Sequence, residues 1–140
     1  MQDNHSRSKK GVLRGLHYQL PPNAQGKLVR VIEGEIFDVA VDLRRKSKTF
    51  GHWVGALLSK SNNHQLWVPE GFGHGFLVTS NVAEVIYKVD DYWSPECERS
   101  LVWDDENLNI EWPFSEGINL SNKDMKAKSL NFLIQEGELF

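Results

Sequence analysis

Cysteine is nearly absent from this chain. A single thiol, Cys97, cannot close an internal disulfide, which excludes a disulfide-stapled secreted scaffold. Long hydrophobic runs are missing as well. Apolar stretches are short, as at Val39-Ala40-Val41, and none can span a bilayer. There is no basic excess, with 16 Lys and Arg against 19 Asp and Glu. That balance argues against a nucleic-acid or membrane-surface binder. The opening MQDNHSRSKKG is polar and lacks the apolar core of a signal peptide. No repeat, linker or low-complexity tract is visible. These absences leave the expectation of a soluble, cytoplasmic protein with one domain over residues 1–140.

The charge that is present is uneven. The first thirty residues carry Arg7, Lys9, Lys10, Arg14, Lys27 and Arg30 against one acid, Asp3, whereas Glu96 to Glu116 is mostly acidic. Two readings fit: solvated faces of opposite sign, or a basic pocket in which a few cations converge on an anionic small molecule.

Most of the sequence reads as strands. Gly11 to Tyr18, Lys27 to Ile32, Glu35 to Leu43, His52 to Leu58, Gln65 to Val68, His74 to Thr79, Val82 to Val89 and Arg99 to Trp103 are short and apolar or β-branched. Turn signals separate them, among them Pro21-Pro22-Asn23, Pro69 to Gly73 and Ser94-Pro95. Glu33-Gly34 fits a two-residue hairpin, because glycine accepts positive φ. One helix is expected, over roughly Asp124 to Gln135, where Leu130, Leu133 and Ile134 share a face. The pattern predicts an all-β antiparallel sandwich or barrel with a short C-terminal helix.

A few polar residues interrupt the apolar strands. Arg14 and His17 share one strand, and a bulge at Gly15 would bring them together. By itself, His17 reads as a hydrogen-bonded core or surface histidine. Lys27 aligns with Val29 and Val31. It either points inward, where it needs an anionic partner, or snorkels from a strand end. The loop PEGFGHGF from Pro69 resembles the second motif of the cupin superfamily, whose histidine often binds a metal. A metal site needs further ligands, and no His-x-His is present, since Tyr18 and Gln19 follow His17. His64 lies in a polar loop and is a poor third ligand. No metal or other cofactor is expected.

Three longer stretches occur in order: GVLRGLHYQLPP from Gly11, QGKLVRVIEGEIFDVAVDLR from Gln25 and QLWVPEGFGHGFLV from Gln65. With QDNHS from Gln2, YKVDDYWSPECE from Tyr87 and WDDENLNIEWP from Trp103, they resemble the dTDP-4-dehydrorhamnose 3,5-epimerase family from Gln2 to about Asp124. The resemblance implies a cupin-like jelly-roll barrel, usually dimeric, with a metal-free pocket for a dTDP-4-keto-6-deoxy sugar. It implies His17 as base with Asp124 as its carboxylate, Tyr87 as acid and Lys27 beside the enolate oxygen. Arg14, His74, Gln2, Asn4, Ser6 and Trp93 match substrate-pocket positions. Trp93 stands where many members have tyrosine. Members normally carry a further N-terminal arm before the QDNHS text, so an exposed strand edge and weakened substrate binding are expected here. Epimerisation at one carbon only, a non-catalytic sugar-nucleotide binder and a metal-dependent cupin enzyme are the alternatives.

Overall fold

The computed structural model describes residues 2–140 and contains two antiparallel sheets. The strands are β1 (Gln2–Lys9), β2 (Leu13–Gln19), β3 (Lys27–Glu33), β4 (Glu35–Asp42), β5 (Trp53–Ser59), β6 (Gln65–Val68), β7 (Phe72–Val78), β8 (Val82–Val89) and β9 (Glu98–Ser100). One sheet has the order β1-β8-β3-β6 and the other β5-β4-β7-β2-β9. Two short helices follow, α1 (Asn122–Met125) and α2 (Leu130–Gln135). Among the described residues, no helix is long and apolar enough to cross a membrane.

Strand alternation decides what lies between the sheets. Val29 and Val31 of β3 and Ala83 and Val85 of β8 meet Ile36 and Ala40 of β4 and Phe76 and Val78 of β7 in one buried cluster. Intervening residues of the second sheet, Leu16, Tyr18, Val39 and Val41, face outward. They are covered by Leu101, Leu108, Leu130 and Leu133 from the C-terminal segment. The second sheet is therefore apolar on both faces, while the first has one face toward solvent.

The predicted strands are present with ends shifted by a residue or two, except at the N-terminus, around Gly34 and at the strand expected over Arg99 to Trp103, which ends three residues early at Ser100. β1 carried no alternation signal, because polar residues occupy both of its faces. It nevertheless pairs along its whole length with β8, from Gln2 opposite Val89 to Lys9 opposite Val82. Glu33-Gly34 is not a hairpin. β3 pairs with β6 and β8, and β4 pairs with β5 and β7. Gly34, at φ +76°, turns a corner between the sheets, and a Cβ there would lie 1.9 Å from the Val82 carbonyl oxygen. The corner lets the apolar faces of β3 and β4 meet through the core.

The expected single C-terminal helix is broken into two. Lys128 is held extended, with its N–H on the Ser100 carbonyl at 3.2 Å and its carbonyl accepting from Val102 N–H at 2.9 Å. These bonds to the strand end replace the helical ones. Each piece then starts at its own serine cap: Ser121 accepts from the Asp124 N–H, and Ser129 from the Phe132 N–H.

Candidate active site

β2 is irregular where its polar residues lie. Its pairing with β7 shifts between Arg14 and His17, at the bulge the sequence suggested. Gly15 has φ +126°, and a Cβ on it would sit 2.5 Å from Gly75 Cα and 2.7 Å from the His74 carbonyl oxygen. Only glycine fits this approach. The consequence is functional: Arg14 and His17 both line one cavity, although simple alternation would send them to opposite faces.

That cavity, of about 430 Å³, opens between the sheets and is also lined by Lys27, His74, Phe76, Tyr87, Lys123 and Asp124. A second lobe of about 410 Å³ shares His17, Lys27, Tyr87 and Lys123 with it and adds Gln2, Asn4, Trp93 and Glu98. Together they form a two-lobed cleft.

His17 Nε2 lies 2.5 Å from Asp124 Oδ1. Asp124 is carried by α1, whose N-cap turns its side chain inward. Its other oxygen accepts the Gly15 N–H at 3.2 Å. Burial works to raise the Asp124 pKa. The hydrogen bond and charge of His17, then the Gly15 N–H and Ser121, outweigh burial and hold the carboxyl below its ordinary range. Asp124 is thus an ionised acceptor, and whenever the His17 ring is neutral with its hydrogen on Nε2, Nδ1 keeps its lone pair.

Tyr87 and Lys27 enter from the opposite sheet, on β8 and β3. The Lys27 ammonium is 6.0 Å from the centre of the Tyr87 ring, and the His74 ring is 6.5 Å from the same ring. Burial pushes the Tyr87 hydroxyl up; Arg14 opposes this and Glu98 adds to it. The phenol therefore keeps its proton at neutral pH. Burial pushes Lys27 down to about 8, against the attraction of Asp38 and Glu98. The inward reading of Lys27 is the one realised.

The remaining expected residues fall around this centre. Arg14 is exposed at the cavity and donates from Nη2 and Nε to Ser8 Oγ at 3.0 and 3.2 Å. His74 is buried and paired with Asp38 Oδ1 at 2.6 Å. Gln2 and Asn4 line the second lobe. Trp93 is exposed at its rim and donates to Glu98 Oε2 at 3.1 Å. Ser6 shares the inward face of β1 but lines neither lobe, and its buried hydroxyl has no partner among the described residues. His64 is exposed and outside the cleft. No group of three or more His, Cys, Asp or Glu that could hold a metal ion is found among the described residues.

Sequence reasoning missed Asp38, Glu98 and Lys123. Lys123 donates to Glu98 Oε1 at 2.5 Å and sits where the two lobes join. Burial acts to raise the Glu98 pKa, but the bonds from Lys123 and Trp93, with the charges of Lys123 and His17, hold it low. Nothing local marks Glu98 or Lys123. Asp38 did leave a signal: an acid between Ile36 and Ala40 on the apolar face of β4.

Comparison with known proteins identifies relatives of this chain in sequence and in fold. The profile described as dTDP-4-dehydrorhamnose 3,5-epimerase matches residues 1–131. The Salmonella typhimurium dTDP-4-dehydrorhamnose 3,5-epimerase is 59% identical over 131 residues, covering 94% of this chain and 72% of that protein. The enzyme of that name from Pseudomonas aeruginosa is 59% identical over 129 residues, covering 92% and 71%. The crystal structure of the Legionella pneumophila dTDP-6-deoxy-D-glucose-3,5-epimerase in complex with dTDP-4-keto-L-rhamnose superposes with a TM-score of 0.94 at 55% identity, covering 99% of this chain and 73% of that one. A bulged strand that turns Arg14 and His17 into one cleft, on a two-sheet barrel this close in sequence and shape, makes the chain a member of the dTDP-4-dehydrorhamnose 3,5-epimerase family.

Proposed function

We propose that the protein epimerises dTDP-4-dehydro-6-deoxy-D-glucose at C3 and C5 to dTDP-4-dehydro-L-rhamnose. The observation that carries this is the His17–Asp124 pair on one sheet side of a cleft, with Tyr87 and Lys27 entering from the other.

The C4 ketone acidifies the hydrogens on C3 and C5. His17 Nδ1 takes such a proton, and the imidazolium that forms is stabilised by the Asp124 carboxylate. Negative charge moves to O4 as the enolate develops. Lys27 interacts more strongly with that charge than with the neutral ketone, so it lowers the barrier rather than only binding substrate. Tyr87, still a phenol, returns a proton from the opposite side and inverts the carbon. The tyrosinate then recovers its proton from solvent, and His17 releases its own. Arg14, at the cavity edge, suits the diphosphate, because a guanidinium forks onto phosphate oxygens. Gln2, Asn4 and Trp93 suit the nucleotide end.

The proposal includes one domain over residues 1–140 and a place in cytoplasmic dTDP-rhamnose and deoxysugar biosynthesis, which supplies cell-surface polysaccharide. It also includes a homodimer, supported by the exposed apolar side chains of Val54, Leu57 and Trp67 on edge strands β5 and β6. Sedimentation of the purified protein at the mass of a single chain would remove the dimer from it.

The test of the reaction is a proton NMR time course with the 4-keto sugar nucleotide in deuterium oxide. Deuterium is expected at both C3 and C5, together with the L-configured product. Exchange at one carbon would narrow the activity to a single-centre epimerase. No exchange at either carbon, with the sugar nucleotide bound, would leave only a binding protein.

A further inference from the structure

Among the described residues, Asp38 is the one acid in the middle of the core between the sheets. On β4 it alternates with Ile36 and Ala40, both members of the apolar cluster, and its neighbour across the ladder is Phe76. It is 0% exposed. Its Oδ1 takes His74 Nε2 at 2.6 Å, while Oδ2 is buried with no hydrogen-bond partner among the described residues. A carboxylate in such surroundings is costly, and packing gives no reason for it, since an apolar residue of similar size would fill the site. Something has to gain from the charge.

The groups facing it identify the beneficiary. His74 of β7 is a diagonal neighbour on the same sheet and lines the cavity. From the facing sheet, Lys27 of β3 and Tyr87 of β8 line the same cavity as His74, directly in front of the buried Asp38–His74 pair. Lys27 is also faced by His17 and Arg14 of β2, Glu98 of β9 and Lys123 of α1, so anions and cations compete over it. Glu98 is already engaged by Lys123 and Trp93, and Asp124 by His17 and Gly15. Asp38 is the acid with an oxygen to spare.

We propose that Asp38 is a positioning residue for the reaction: it fixes the His74 ring through Nε2 and supplies the buried counter-charge of the Lys27 ammonium. The assignment rests on the epimerase reading above. Its two effects are separable. With Nε2 held by Asp38, the other ring nitrogen of His74, Nδ1, is left for the substrate. With a negative charge behind it, Lys27 stays cationic in a cavity that would otherwise favour the neutral amine. Burial is the largest influence on Lys27 and lowers its pKa, and Asp38 is the strongest group acting the other way.

Asp38→Asn tests this, because the amide oxygen still accepts from His74 while the charge is gone. The midpoint of Lys27, followed by its ¹³Cε signal in the substrate-free protein, should fall by about one unit, as for an ammonium losing a nearby anion. The alkaline limb of the exchange rate should move to lower pH by the same amount. KM for the sugar nucleotide should stay within about threefold while kcat drops about tenfold or more, since the charge acts on the transition state. A purely structural Asp38 would change thermal stability and leave both midpoints in place, and that result overturns the proposal. If Asp38→Asn does not fold, the carboxyl ¹³C signal of Asp38 in the unaltered protein decides. It should stand at the ionised position throughout the pH range of activity, and a protonated position overturns the assignment. The Lys27 and Asp38 signals need no turnover, so a protein lacking epimerase activity would defeat the function reading without deciding this one.

Discussion

Replacing Asp124 with asparagine should remove most of the activity while leaving the cleft able to bind its ligand. The side chain is 3% exposed and accepts two hydrogen bonds, from His17 Nε2 at 2.5 Å and Gly15 N–H at 3.2 Å. A carboxylate can accept both, whereas an amide has one oxygen and one NH₂ group. If the oxygen turns to His17, the NH₂ group opposes the Gly15 N–H. That buried donor loses its acceptor, at a cost of about 1–3 kcal/mol. If the NH₂ group turns to His17 instead, Nε2 must become the acceptor and the ring hydrogen moves to Nδ1. The lone pair that should take the substrate proton is then lost. Either orientation also removes the negative charge that stabilises the imidazolium. Exchange at C3 and C5 should therefore fall by about 10²–10⁴-fold, the range for disabling a general base. Stability should fall by about 2 kcal/mol, because only one buried partner is left unsatisfied and His17 is 27% exposed to water. The sign of the pH dependence is also fixed. The folded-state pKa of Asp124 is depressed, so its contribution is present above the ordinary carboxylate range and is lost as pH falls through the folded value. Asp124→Asn should narrow the stability gap to the unaltered protein as the solution is acidified. The assay is the deuterium time course, with urea unfolding and calorimetric titration of dTDP alongside. A folded Asp124→Asn protein exchanging within about threefold of the unaltered rate would refute the base assignment, because even one disabled base is worth far more.

Two further perturbations separate roles within the cleft and the barrel. Tyr87→Phe should retain part of the exchange with retained configuration, since His17 can return the proton it took. Lys27→Met should depress exchange and inversion together, and the unaltered enzyme should lose rate as pH rises through about 8, where the Lys27 ammonium is lost. An unchanged ratio of inversion to exchange in Tyr87→Phe would mean that Tyr87 only packs. Outside the cleft, Asp42 is buried and accepts from Arg44, Ser47 and Thr49. These bonds overcome the burial that would raise its pKa and hold it well below the carboxylate range. Asp42→Ala should cost about 2–3 kcal/mol, measured by urea unfolding at neutral pH, with the deficit shrinking in acid and the exchange chemistry intact; a loss below about 0.5 kcal/mol would show that the network adds nothing.

Much of the barrel was legible because its strands are short, apolar and separated by turn residues. Alternation in Lys27-Leu28-Val29-Arg30-Val31 already implied which side chains face inward. β1 was not legible, since its eight residues are polar on both faces and its strand character comes from pairing with β8. The Glu33-Gly34 corner looked like a hairpin for a similar reason. A glycine with positive φ serves either turn, and only the pairing partners of β3 and β4 distinguish them. The helix over 124–135 was overestimated because its apolar spacing says nothing of the competing bonds from Ser100 and Val102 to Lys128.

The site divides in the same way. Local order in the chain determined the bulge at Gly15, the apolar frame around Lys27 and the motifs from Gly11 to Phe76 that resemble the family. Those depend on neighbours within a few residues, and such information is written in the sequence itself. The partner of His17 lies 107 residues away, Glu98 and Lys123 reach the cleft from β9 and α1, and Asp38 stands behind His74 on β4. Their charge states are set by burial and by each other. The cost of burying an ion and the strength of its attraction to another both depend on distance and local dielectric, so they come into existence only when the sheets close.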